Sequence, residues 1–153
     1  WPVIVALREN AALLALVKAA HLLGMALLVG SVSAFDLRVL GWNKAMVVSA
    51  LAQHVLPLAV SALVLLIPSG LALFAIDATR LLSSDTFMVK MSLILVSGIL
   101  AIAFHNGPYR QVSVWGQPDH APPLSAKLAA GASLVVWIAV LVCAASIGRA
   151  QAG

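Results

Sequence analysis

The sequence predicts an all-α integral membrane protein, an antiparallel four-helix bundle in which residues 1–153 form a single four-span domain. Three observations lead to this prediction. Hydrophobic residues make up 63% of the chain and charged residues 9%, whereas about a quarter of a soluble domain is charged. Four long apolar runs each reach or approach the ~20 residues that a helix needs to cross ~30 Å of hydrocarbon. The runs are also unbroken, which excludes the alternating pattern of a membrane barrel strand.

Each run predicts one membrane-spanning helix. The first ends close to Asp36 and Arg38, before a tight connection at residues 41–44. The second contains Pro57 and Pro68, which predict a bend in the helix. The third stops where Gly and Pro follow its last residues. The predicted spans are Ala11–Phe35, Ala45–Ile76, Phe87–His105 and Leu124–Ile147.

The connections predict how the bundle meets the membrane surface. Trp42, Tyr109 and Trp115 all fall on one side and are typical of an interfacial aromatic belt, with the loop Asn106–Pro123 lying on that surface. Lys and Arg residues divide almost evenly between the two sides, so they do not orient the protein. An even number of spans places both ends of the bundle on one side.

The charge distribution and the cysteine content argue against several functional classes. The formal net charge is +4, but the nine Lys and Arg residues lie singly at helix ends. This distribution favours contact with anionic lipid headgroups, so the expected environment is a lipid bilayer and nucleic acid is not an expected partner. Cys143 is the single cysteine, which excludes an internal disulfide or a Cys-x-x-Cys-His haem attachment.

Two histidines make haem b the leading cofactor prediction. At 1.5 Å per residue, His21 and His54 lie ~14–15 Å inside opposite ends of adjacent antiparallel spans, near the middle of the membrane. Two imidazoles at one depth are able to hold a haem iron between helices. His105 is ~14 Å shallower than His54 and is the second choice of partner. Lys18 and Arg38 are the cations expected nearest the haem propionates.

A purely structural interpretation remains open beside the haem hypothesis. An intramembrane histidine often hydrogen-bonds a serine or a backbone carbonyl of a neighbouring helix. His120, in a proline-rich loop, is expected to be solvated. Copper is a weaker prediction, because the soft ligands that Cu(I) prefers are limited to Met25 beside His21, three methionines near helix ends and one cysteine.

A longer pattern of residues extends over most of the chain. It consists of His21-Leu22-Leu23-Gly24, Val29-Gly30, Asp36-Leu37-Arg38-Val39-Leu40-Gly41, Phe87-x-x-Lys90, Phe104-His105, Lys127 and Gly148-Arg149. This pattern resembles a poorly characterised family of small bacterial inner-membrane proteins with four helices, which has histidines at the positions of His21 and His105. The resemblance implies the fold and a location in the bacterial inner membrane. The family is distantly similar to the membrane domain of copper-resistance D proteins and to cytochrome b-561-type haem bundles.

Three functional hypotheses follow. The sequence contains no complete set of catalytic residues for any of them. The first is a b-type haem protein that transfers electrons between the quinone pool and a larger membrane redox complex. The second is a non-catalytic accessory subunit that packs against such a complex or forms a homo-oligomer. The third is a permease for copper or another small solute. Because nothing in the chain completes an active site, we expect no catalytic activity of its own.

Overall fold

The computed structural model describes residues 2–150, which form helices joined by short connections, with no strand among them. Nothing is described for the side chains of residues 2, 3, 149 and 150, which leaves the Arg149 side chain of the sequence pattern outside the described part. The helices are α1 (Pro2–Glu9), α2 (Ala11–Leu40), α3 (Val48–Ile76), α4 (Ala78–Leu82), α5 (Asp85–Asn106), a 3₁₀ turn (Pro108–Gln111), α6 (Val112–Trp115) and α7 (Leu124–Ala150).

Four of these helices are long and apolar enough to cross a membrane, which confirms the predicted all-α, four-span class. They alternate in direction, so α2 and α5 run from one membrane face to the other and α3 and α7 return. We name the face where α2 begins face A and the face where α2 ends face B. Both α1 and the end of α7 therefore lie at face A.

The helix ends differ from the predicted spans for local reasons. Asn10 caps α2 by accepting a hydrogen bond from the Leu13 N–H at 3.0 Å. At its other end α2 continues past Phe35 to Leu40, where Gly41 adopts φ +112° and stops the helix in the left-handed conformation that glycine tolerates. Helix α3 continues through both Pro57 and Pro68 as one helix.

Helices α2 and α3 form a close pair built on small residues. A Cβ placed on Gly24 would lie 2.9 Å from Leu66 Cγ and 3.3 Å from the Ala62 carbonyl oxygen, so only glycine fits at this crossing. In lipid, where apolar surface alone does not drive helix association, such small residues allow the van der Waals contact that holds helices together.

Helix α5 is attached differently, through aromatic residues near its two ends. The only residues of α5 that are buried are Phe87 and Phe104. Phe87 stacks on Phe74 of α3 with ring centroids 5.8 Å apart, and Phe104 packs edge-on against Phe35 of α2 at 5.6 Å. Along the rest of its length α5 packs against α7, but none of its Cα atoms lies within 8 Å of one in α3.

The connection between α5 and α7 closes the bundle at face B. The Val48 N–H at the start of α3 donates to the Gly116 carbonyl at 2.8 Å, which ties this connection to α3. Trp115 is buried beside Val48, and its Nε1 donates to the Pro108 carbonyl at 2.8 Å. Trp115 thus belongs to the core at face B, unlike the exposed Trp42 of the predicted aromatic belt.

Candidate functional site

His21 lies between α2 and α3 and is held by a serine. Its Nδ1 is 3.0 Å from the Ser69 hydroxyl, and this hydroxyl also contacts the Leu65 carbonyl of its own helix. Because the hydroxyl has one hydrogen and directs it to that carbonyl, His21 donates Nδ1–H to Ser69, which leaves Nε2 as an acceptor in the neutral ring. A Cβ on Gly70 would lie 3.1 Å from His21 Cε1, so glycine makes room for the imidazole.

The structure does not bring the other histidines to His21. Ser69, the partner of His21, lies fifteen residues after His54 on α3, which places the two histidines about 22 Å apart along that helix. His54 is exposed, and its Nδ1 contacts the Ala50 carbonyl of its own helix at 2.8 Å.

His105 is likewise exposed at the end of α5, far from His21. Its Nδ1 contacts the Ala101 carbonyl at 2.9 Å, and its ring lies 4.9 Å from the Tyr109 ring. Each of the three imidazoles therefore has Nδ1 engaged, but their Nε2 atoms do not converge on one point.

The histidine pair predicted to hold a haem iron is therefore not formed within one copy of this chain. The depth argument from the sequence failed because α2 and α3 contain 30 and 29 residues, well above the ~20 that a span requires. Counting inward from the first apolar residue therefore does not give the true depth of a side chain. Among residues 2–150 there is also no cluster of three or more His, Cys, Asp or Glu able to hold a metal ion.

The remaining predicted cofactor residues lie apart from one another. Lys18 is exposed one turn before His21, as expected for a lysine that extends toward the membrane surface. Met46, Met88 and Met91 are all exposed, so they do not form a common copper site with His21.

The sequence analysis named Lys90 within the family pattern but did not single it out as a cation between the helices. Lys90 lies near His21 and Cys143, and its Nζ lies 5.0 Å over the Phe87 ring. Lys90 forms no ion pair with a carboxylate among the described residues. A lysine in a span is a functional candidate by its position alone, and this signal was readable from the sequence.

Beside Lys90, α3 and α5 are separated by a gap, since no Cα atom of one lies within 8 Å of a Cα atom of the other. Ile94 and Gly98 follow Phe87 by two and three helical turns and so share its side of α5. A Cβ on Gly98 would meet no atom within 4 Å, although this side of α5 faces α3 at the Phe74–Phe87 stack.

The opposite wall of this gap is equally uncovered. Leu63 and Ile67 precede Phe74 by three and two turns on α3, and Ile67 is 57% exposed. We call the space between these residues and Ile94 and Gly98 the α3–α5 cleft. The Phe74–Phe87 stack closes this cleft at its face A end.

At face B, Arg38 braces the connection between α2 and α3. The side chain is only 5% exposed. Its Nε donates to the Met46 carbonyl at 2.5 Å and one Nη to the Lys44 carbonyl at 3.1 Å. Arg38 is thus anchored to the backbone of the connection that follows α2.

Asp36 does not share this anchor. It is 5% exposed, and its Oδ2 has no hydrogen-bond partner among the described residues. Ser133 of α7 interacts with the carboxyl group from the other side. Burying a carboxyl group with an oxygen that lacks a hydrogen bond costs free energy, so Asp36 lowers the stability of the bundle.

Arg38 also lines a cavity of about 280 Å³ at face B. The cavity lies between the tight connection after α2 and the proline-rich segment before α7. His120, expected to be solvated, is exposed as predicted and contributes to its wall. The charged residues of the wall are Arg38, Lys44, Asp119 and Lys127.

The chain belongs to a family of unknown function, DUF6644, whose pattern matches residues 10–150. This match covers all four spans together with the residues around His21, Lys90 and Arg38. Comparison with curated proteins and with solved structures gives no match.

Proposed function

We propose that this protein is a non-catalytic subunit of a larger membrane complex and that a helix of the partner packs in the α3–α5 cleft. The observation that carries this proposal is the side of α5 that faces α3 and yet contacts nothing around Gly98. A glycine at an open position lets a second backbone approach closely, which is how membrane helices associate.

Lys90 indicates which kind of side chain the proposed partner presents. It stands at the face A end of the cleft beside Phe87 and has no carboxylate partner in the described chain. Because an unpaired ammonium group within a membrane is costly, a carboxylate from the partner helix would stabilise the complex. We therefore infer that the partner presents Asp or Glu near this end.

A location in the bacterial inner membrane and a redox complex as partner belong to this proposal as well. The location rests on the resemblance to small bacterial inner-membrane proteins, and the redox partner on the distant similarity of that family to copper-resistance D and cytochrome b-561-type proteins. The haem-carrier and permease hypotheses stay predictions with less support, since the separation of His21, His54 and His105 leaves each imidazole without a second ligand in the chain.

Two glycines allow a matched test of the cleft. Gly98 on α5 and Gly131 on α7 both have open space around their Cβ positions, so leucine at either site leaves the isolated bundle intact. After mild detergent extraction from native membranes, we expect the 15.8 kDa chain to migrate in a larger hetero-complex. Gly98→Leu should reduce the assembled fraction about tenfold, a change of ~1.4 kcal/mol, and Gly131→Leu should not.

Lys90→Gln should weaken the same complex, whereas Lys18→Gln should leave it unchanged. A wild-type chain that migrates alone or as a homo-oligomer would contradict the proposal, as would equal behaviour of the two glycine variants. A visible absorption spectrum supplies the remaining check, because a Soret band in the purified chain would favour the haem hypothesis instead.

A further inference from the structure

The cavity at face B, which opens to the protein surface, is lined by several positively charged side chains. Arg38, Lys44 and Lys127 come from three separate places, the end of α2, the following connection and the first turns of α7. Asp119 is the one carboxylate in the wall, so positive charges outnumber negative ones. His120 adds an imidazole that is able to donate a hydrogen bond.

Arg38 is already fixed in place within this wall. Its bonds to the carbonyls of Met46 and Lys44 use Nε and one Nη, and the second Nη has no hydrogen bond to any of the described residues. A guanidinium held in this way is preorganised for an anion, because little side-chain entropy remains to be lost on binding.

The position of the cavity specifies what kind of anion reaches it. Its walls lie where α2 ends and α7 begins, at the depth of lipid headgroups, and the exposed Trp42 beside it is typical of that layer. Phosphate is the anion concentrated at this depth, and it accepts bonds from Arg and Lys together.

We propose that this cavity binds a phosphate group, either that of an anionic lipid or that of a small soluble phosphate ester. Lys44 and Lys127 supply charge to the phosphate oxygens, while Arg38 directs its remaining N–H groups at them. Asp119 and His120 then face the polar remainder of the ligand, for which the glycerol of phosphatidylglycerol is the appropriate probe.

The test uses the purified full chain in neutral detergent, so its result does not depend on the partner complex proposed above. Native mass spectrometry measures binding of phosphatidylglycerol, with diacylglycerol as the phosphate-free control. We expect Lys44→Gln and Lys127→Gln each to weaken phosphatidylglycerol binding about tenfold. Arg110→Gln removes an equal charge from face B outside the cavity and should change binding less than twofold.

Competition identifies the source of the phosphate. Displacement of the lipid by glycerol 3-phosphate would indicate a soluble ligand, and its failure would indicate a lipid headgroup. Lys127→Arg should restore binding, which separates loss of charge from loss of fold. Equal retention of diacylglycerol and phosphatidylglycerol, or equal effects of Lys127→Gln and Arg110→Gln, would overturn the proposal.

Discussion

The α2–α3 pair and helix α5 show two ways of holding a membrane helix. In the pair, Gly24 lets the backbones touch and the His21–Ser69 hydrogen bond crosses the interface. Helix α5 instead meets α2 and α3 through the rings of Phe87 and Phe104 near its ends, and its middle facing α3 stays open at Gly98.

This difference is invisible in hydropathy, because all four spans are strongly apolar. Lipid solvates an apolar side chain as well as a protein interior does, so burial of apolar area does not decide which helices touch. Close fit and interhelical hydrogen bonds decide it, and α5 has fewer of both toward α3. The open side of α5 is therefore the natural place for a partner.

The largest expected effect follows from placing a larger side chain at Gly24, where α2 and α3 cross closely. Gly24→Leu places new atoms against Leu66, whose Cγ would lie 2.9 Å from the added Cβ, and against the backbone carbonyl of Ala62 at 3.3 Å. We expect a loss of ~3 kcal/mol in the free energy of unfolding, the upper part of the overpacking range. Titration with SDS in mixed micelles, followed by tryptophan fluorescence, measures it.

Gly98→Leu is the control for this prediction, because its Cβ meets open space. We expect no measurable loss of stability in the isolated chain. Equal destabilisation by the two substitutions would mean that α5 is packed as tightly as the α2–α3 pair.

A smaller effect is expected when one aromatic attachment of α5 is removed. Phe87→Ala deletes the stack on Phe74 and the surface under the Lys90 ammonium group, and we expect a cost of ~1 kcal/mol. Spin labels on α3 and α5 near face A should also show a broader distance distribution. Met88→Ala, at an exposed neighbouring position, should change neither quantity, and an unchanged distribution in Phe87→Ala would refute the attachment.

The smallest effect concerns the polar contact in the pair. Ser69→Ala removes the acceptor of the His21 Nδ1–H, and hydrogen bonds between membrane helices contribute ~0.6 kcal/mol on average. We expect a loss of that size in the same SDS titration. Ser92→Ala provides the comparison, since Ser92 donates to the Met88 carbonyl of its own helix. An equal loss in the free energy of unfolding for both variants would mean that the Ser69 contact does not stabilise the helix pair.

Prediction from the sequence succeeded for helices and failed for pairs of side chains. The Arg38 anchor was predictable because its partners lie within eight residues along the chain. The pairing of His21 with His54 was not, since it required the depth of two helices whose ends extend beyond the hydrocarbon. The position of Lys90 was visible in the sequence, but its neighbours His21 and Cys143 come from other helices.

The sequence by itself determined the four spans and their alternating directions, because backbone polar groups in lipid must be satisfied within each helix. Tertiary structure alone decided that His21 meets Ser69, that α5 stands apart from α3 and that three cations surround one cavity. Those outcomes depend on the rotation and relative depth of the helices, and uniformly apolar helix surfaces do not determine either one. The close fit of residues such as Gly24 and Phe87 does.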